Sequence, residues 1–120
     1  MGVFDKILGK KKPEPPSRPP EHAVIVQFAY GSTDLSRLFA LEGRIEAAIA
    51  EAGAGEFDGN EVAADGSDGT LYMYGPDADT LFAAVRLTLE STDFMHGARA
   101  LLRYGPPEDG VREVEVVLGT

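Results

Sequence analysis

The sequence predicts an α+β fold: two amphipathic helices covering one side of a mostly antiparallel sheet. Three observations carry this expectation. Two stretches space their apolar residues at helical intervals, and five shorter ones alternate or run apolar as strands do. These stretches fall in the order β-α-β-β-α-β-β, which suits a mixed two-layer domain better than an alternating parallel sheet. Glycine and aspartate clusters mark turns at the two ββ junctions. At 120 residues the chain fits one such domain plus a tail.

Residues 1–12, MGVFDKILGKKK, place Val3, Phe4, Ile7 and Leu8 on one stripe of a short helix followed by lysines. This basic amphipathic tail is a candidate for docking in a partner's groove or for weak peripheral contact with an anionic membrane. Lys6 stands where a myristoylation signal needs Ser or Thr, so Gly2 is not read as a lipidation site. Residues 13–22, PEPPSRPPEH, hold five prolines. Proline fixes φ and removes backbone donors, so they read as an extended linker. The folded domain is expected over residues 23–120.

Residues 23–30, AVIVQFAY, form the clearest strand, apolar on both faces as a central strand should be. Gly31 ends it, and Ser32, Thr33 and Asp34 are competent N-caps for the helix that follows. Leu35, Leu38, Phe39, Ile45 and Ile49 make the apolar stripe of that helix over residues 35–52. Gly43 weakens it by about 1 kcal/mol relative to alanine, and Gly53 stands where it should stop. A weaker strand over 56–64 is anchored by Phe57 and Val62, with a bulge suggested at Asp58-Gly59-Asn60. The DGSDG loop at 65–69 turns the chain into a strand over 70–74. There Leu71 and Met73 share one face, and Thr70, Tyr72 and Tyr74 the other.

Gly75-Pro76 turns the chain again. Asp77 caps a second helix, Asp79 lies near its positive end, and Leu81, Phe82, Val85 and Leu89 form its buried stripe to about residue 91. Phe94 to Gly97 reads as a loop. Strands over 98–104 and 111–118 flank a six-residue GPPEDG loop, and Glu113 and Glu115 give the last strand the half-polar character of an edge. Together these elements predict a ferredoxin-like βαββαβ two-layer sandwich with an extra C-terminal β-strand. Its first and third strands are expected to lie parallel and central. The last hairpin should extend the edge beside the first strand, and the helix-free face should be open.

The net charge of −9 is unevenly distributed. All four lysines lie in the first twelve residues beside one acid, a net +3; the other 108 residues carry seven arginines and nineteen acids, a net −12. A body this acidic repels phosphate backbones, so no nucleic-acid partner is expected. Absent cysteine removes disulfides, thiolate metal sites and thiol nucleophiles. No apolar run approaches the roughly 20 residues of a membrane span, and the N-terminus lacks a secretory signal. The expected location is the cytoplasm, with the tail allowing peripheral contact at the inner face of the membrane.

TLYMYGPDADTLFAAV at 70–85 and LLRYGPP at 101–107 resemble a group of small bacterial proteins of unknown function that share a TLYMYGPDAD-LF strand–turn–helix and an RYG strand. The resemblance covers residues 23–118 and implies no activity. More distantly, the plan and the acidity are similar to the B-type protein inhibitors of ribonuclease E.

No set of residues forms a catalytic signature, and no cofactor is expected. His96, the one histidine expected within the folded body, would need Ser32, Ser36, Ser67 or Ser91 in a nucleophile elbow, and none has that pattern. Glu56, Asp58, Glu61, Asp65 and Asp68 form an acidic cluster; Asp58 and Asn60 begin an EF-hand pattern that Val62 breaks. Tyr30, Tyr72, Tyr74 and Tyr104, with Asp58 and Glu61, are the candidate partner-binding residues, since tyrosine on an open sheet suits a protein interface. The expected function is a small non-catalytic acidic interaction or regulatory domain that binds itself or a basic protein. The alternatives are a divalent-metal or hydrolytic enzyme using the Glu56 to Asp68 acids, and an immunity or inhibitor protein against a basic nuclease.

Overall fold

A computed structural model of the protein describes residues 21–119. The expected tail residues Val3, Phe4, Ile7 and Leu8 lie outside them, as does nearly all of the proline-rich linker. The elements are β1 (His22–Ala29), α1 (Ser36–Ala52), β2 (Glu56–Val62), β3 (Asp68–Gly75), α2 (Ala78–Glu90), a single 3-10 turn (Asp93–Met95), β4 (Arg99–Arg103) and β5 (Glu113–Val117). The five strands form one sheet in the order β2-β3-β1-β4-β5, and every neighbouring pair is antiparallel. The result is a two-layer α+β sandwich, with each βαβ unit split by one intervening strand.

Two expectations need correction. β1 and β3 are central, as expected, but antiparallel. The α1 crossover skips one strand position, which leaves β1 and β2 parallel. β3 returns from β2 through a hairpin into that gap, so it must oppose both. The second correction concerns His22, which belongs to β1 and not to the linker. Its Nδ1 accepts the Ala78 N–H at 3.0 Å, so it ties the start of β1 to the first turn of α2.

The core lies between sheet and helices. Val24, Val26 and Phe28 of β1, Leu71 and Met73 of β3, and Ala100 and Leu102 of β4 meet Leu38, Leu41, Ile45 and Ile49 of α1 and Leu81, Phe82, Val85 and Leu89 of α2. Each large side chain removed from water here contributes on the order of 2 kcal/mol. Met95, in the stretch expected to be a loop, is also fully buried, and its 3-10 turn closes one end of the core.

The helix ends follow local chemistry. α1 begins one residue later than expected: Leu35 takes the N-cap position without a side-chain bond, and the Oδ1 of Asp34, just before it, accepts the Ser36 N–H at 3.0 Å and the Ser36 hydroxyl at 2.7 Å. Those bonds hold its carboxyl below the ordinary carboxylate value. Gly53, at φ 61°, ends α1 in the left-handed conformation. Asp77 Oδ1 accepts the Asp79 N–H at 3.0 Å and so caps α2.

The β2–β3 turn does more than reverse the chain. Gly66 O accepts the N–H groups of Gly31 and Ser32, and Ser67 O accepts that of Tyr30. This fastens the hairpin tip to the β1–α1 loop. Gly66 sits at φ +74°, and a Cβ there would collide with the Ser32 carbonyl. The expected bulge is also present, as the β2 register slips between Phe57 and Gly59. It leaves Asp58 as the extra residue.

Candidate functional site: the open face of the sheet

Alternation along each strand sends one set of side chains into the core and the other to the uncovered side. The register fixes how the second set is arranged. Across the sheet from β2 to β5, one row reads Glu56, Tyr74, Ala23, Arg103, Glu113. The next reads Gly59, Tyr72, Ile25, Leu101, Glu115. The third reads Glu61, Thr70, Gln27, Arg99, Val117. The face therefore has an apolar and aromatic centre of Ile25, Tyr72, Tyr74 and Leu101. Acids of β2 border it on one side. Arginines of β4 and then acids of β5 border it on the other.

Hydrogen bonds order this surface. Tyr72 O–H donates to Glu61 Oε1 at 2.6 Å. That bond, with a small contribution from burial and the adjacent negative charge, raises the Tyr72 phenol above its ordinary value. Tyr74 is raised chiefly by burial; the Asp58 charge adds to the rise and Arg103 opposes it. Arg103 Nε donates to Gly105 O at 2.7 Å. Arg99 pairs with Glu115 at 3.6 Å, both well exposed, so this pair contributes little to stability. Val117 is 61% exposed at the outer edge.

The four candidate tyrosines divide between two places. Tyr72 and Tyr74 lie on the open face. Tyr30 does not: it is buried, its hydroxyl donates to Asp34 O at 2.6 Å, and its ring meets Phe28 and Phe94 edge-on. The Arg37 guanidinium lies 5.5 Å over that ring. Tyr104 also lies on the helix side. Its hydroxyl donates to Asp79 Oδ1 at 2.6 Å, its ring packs edge-on against His22, and Arg112 stacks on it. Residue parity explains both cases. Tyr30 continues the Val24, Val26, Phe28 set, and Tyr104 continues Ala100 and Leu102.

The acids spread out. Glu56, Asp58 and Glu61 are strung along β2, and Asp65 accepts the Ser67 N–H in the turn. Among the described residues no three carboxylates or histidines are grouped to hold a metal ion. His96 is exposed, with Nε2 3.2 Å from Glu90 O. It borders a shallow cleft of about 500 Å³ where the face ends, along with Gln27, Asp68, Thr70 and Arg99.

Sequence reasoning missed Arg99, Arg103, Ile25, Gln27 and Leu101 as members of this surface. Their alternation with core residues was visible, but their alignment beside the tyrosines depends on strand pairing.

Fold and site together define a small two-layer α+β domain with one uncovered, mixed-charge sheet face. Compared with models of known protein families, with curated proteins and with solved structures, the chain has no match. No helix among the described residues is long and apolar enough to cross a membrane.

Proposed function

We propose that the protein is a small non-catalytic interaction or regulatory domain that binds another protein through the open face of its sheet. The supporting observation is the row Tyr72, Ile25, Leu101, an apolar strip with no layer over it among the described residues and with charges of both signs on its flanks. An apolar centre with aromatic side chains and a polar rim is the composition of a protein interface. Tyrosines whose hydroxyls or rings are already fixed lose little conformational freedom on binding. Arginine on β4 and tyrosine on β3, one on either side of β1, supply the residue types enriched among binding hot spots.

The test is affinity purification from the native cell with three forms of the full chain. Wild type and Leu87→Glu, which alters a 77% exposed residue of α2, should recover the same partner. Leu101→Glu should lose it. Recovery unchanged by Leu101→Glu, or no partner with any form, would refute the reading.

A further inference from the structure

We propose that the occupant of the open face is a second copy of this chain, docked about a two-fold axis that runs along the strands between β1 and β3. The inference rests on the reading of this face as a protein-binding surface, and charge complementarity carries it.

Facing sheets pack with their strands nearly aligned, about 10 Å apart. Four two-fold arrangements overlap four or more strands of this face with the partner's. One of them, about an axis between β1 and β4, lays Glu113 and Glu115 over the partner's Tyr74 and the partner's Tyr72 and pairs no opposite charges. An axis across the strands lays each strand over its own copy. Arg99 then faces the partner's Arg103, and Glu56 faces the partner's Glu61. An axis along β1 lays β5 over β2, so Glu113 faces the partner's Glu56, and Glu115 lies over the partner's Gly59 next to the partner's Asp58. Both of these arrangements set like charges opposite one another, which is strongly unfavourable in a desolvated interface.

The fourth axis, between β1 and β3, lays β3 over the partner's β1 and β2 over the partner's β4. The rows then match charge for charge. Glu56 faces the partner's Arg103, and Glu61 faces the partner's Arg99, each contact occurring twice by symmetry. Tyr72 packs on the partner's Ile25, and Thr70 lies against the partner's Gln27. β5 overhangs the partner's edge, which keeps Glu113 and Glu115 clear of the β2 acids. Arginine and glutamate side chains together span the gap between the sheets. The guanidinium groups have five N–H donors each, so Arg103 can keep its bond to Gly105 O and Arg99 its pair with Glu115. A striped face of this kind pairs opposite charges with itself in only one of the four registers.

The experiment is sedimentation equilibrium on the full chain, with a charge swap. Wild type should show a monomer–dimer equilibrium. Glu61→Arg and Arg99→Glu should each weaken it by about tenfold or more in dissociation constant, since each places two like pairs in contact. Mixing the two variants should restore association, because both pairs in the heterodimer are again opposite in sign. A misfolded variant could not be rescued this way. A wild-type chain that stays monomeric, a dimer that neither substitution weakens, or a mixture that fails to recover would each overturn the proposal. A monomeric chain that still loses its cellular partner on Leu101→Glu would overturn the dimer and leave the interaction reading standing.

Discussion

The two faces of this sheet are made by the same strands, residue by residue in alternation, yet they obey different rules. On the helix side, Val24, Val26, Phe28, Leu71, Met73, Ala100 and Leu102 are almost completely removed from water. On the other side, their immediate neighbours Ile25, Tyr72, Tyr74 and Leu101 remain half-buried and are flanked by Glu61, Arg99 and Arg103. The covered face is held by close packing, where each lost methylene also leaves a cavity. The open face is held by cross-strand pairs and by Tyr72–Glu61, interactions that are individually small. Its side chains are therefore freer to serve a partner than to serve the fold.

A matched pair of truncations should separate the faces most sharply. Leu71→Ala should cost about 3 kcal/mol of unfolding free energy, as a fully buried leucine leaving a cavity. Leu101→Ala, on the other side of the sheet, should cost less than about 1 kcal/mol. Urea unfolding of both variants checks this, and equal costs would mean that the open face is packed against something.

The tip of the β2–β3 hairpin should come next. Gly66→Ala combines a left-handed φ with a backbone collision at Ser32, for a loss of roughly 2 kcal/mol. Hydrogen exchange should show Gly31 and Ser32 losing protection first, since their N–H groups donate to Gly66 O. Asp77→Ala removes the α2 cap and should cost about 1 kcal/mol, seen as a lower urea midpoint with an unchanged slope.

The smallest effect is a titration. Tyr72 and Tyr104 are both raised mainly by donating to a carboxylate, Glu61 on the open face and Asp79 on the helix side. A phenol raised in the folded state favours folding below the unfolded tyrosine value, and that contribution is lost as pH rises through the folded value. Glu61→Gln should bring Tyr72 back toward its ordinary value and leave Tyr104 unchanged. Ultraviolet absorbance titration with Tyr72→Phe and Tyr104→Phe controls would assign the two. Alkaline loss of stability should be correspondingly smaller in Glu61→Gln than in wild type.

Much of the fold was legible because its signals are local. Helical spacing located α1 and α2, Gly53 and Asp77 marked their limits, and DGSDG announced the hairpin. Strand ends shifted by one or two residues, because pairing with a neighbour decides where a strand stops. The open face was only half legible. Parity already separated Tyr72 and Tyr74 from Leu71 and Met73, and the same parity would have placed Tyr30 and Tyr104 with the core. The burial of Met95 carried no comparable local signal, since a phenylalanine–methionine pair in a short connection has no period to read.

The amino-acid order alone sets which segments become helices, which become strands, and which side chains share a side of each strand. Those choices depend on backbone geometry over a few residues, where period and capping chemistry act. Long-range strand pairing set the rest: β3 enters antiparallel beside β1, and Glu61, Tyr72, Ile25 and Arg99 belong to one surface. Such adjacency joins residues far apart in the chain, and its physical cause is the burial of a common core, which no short stretch can express alone.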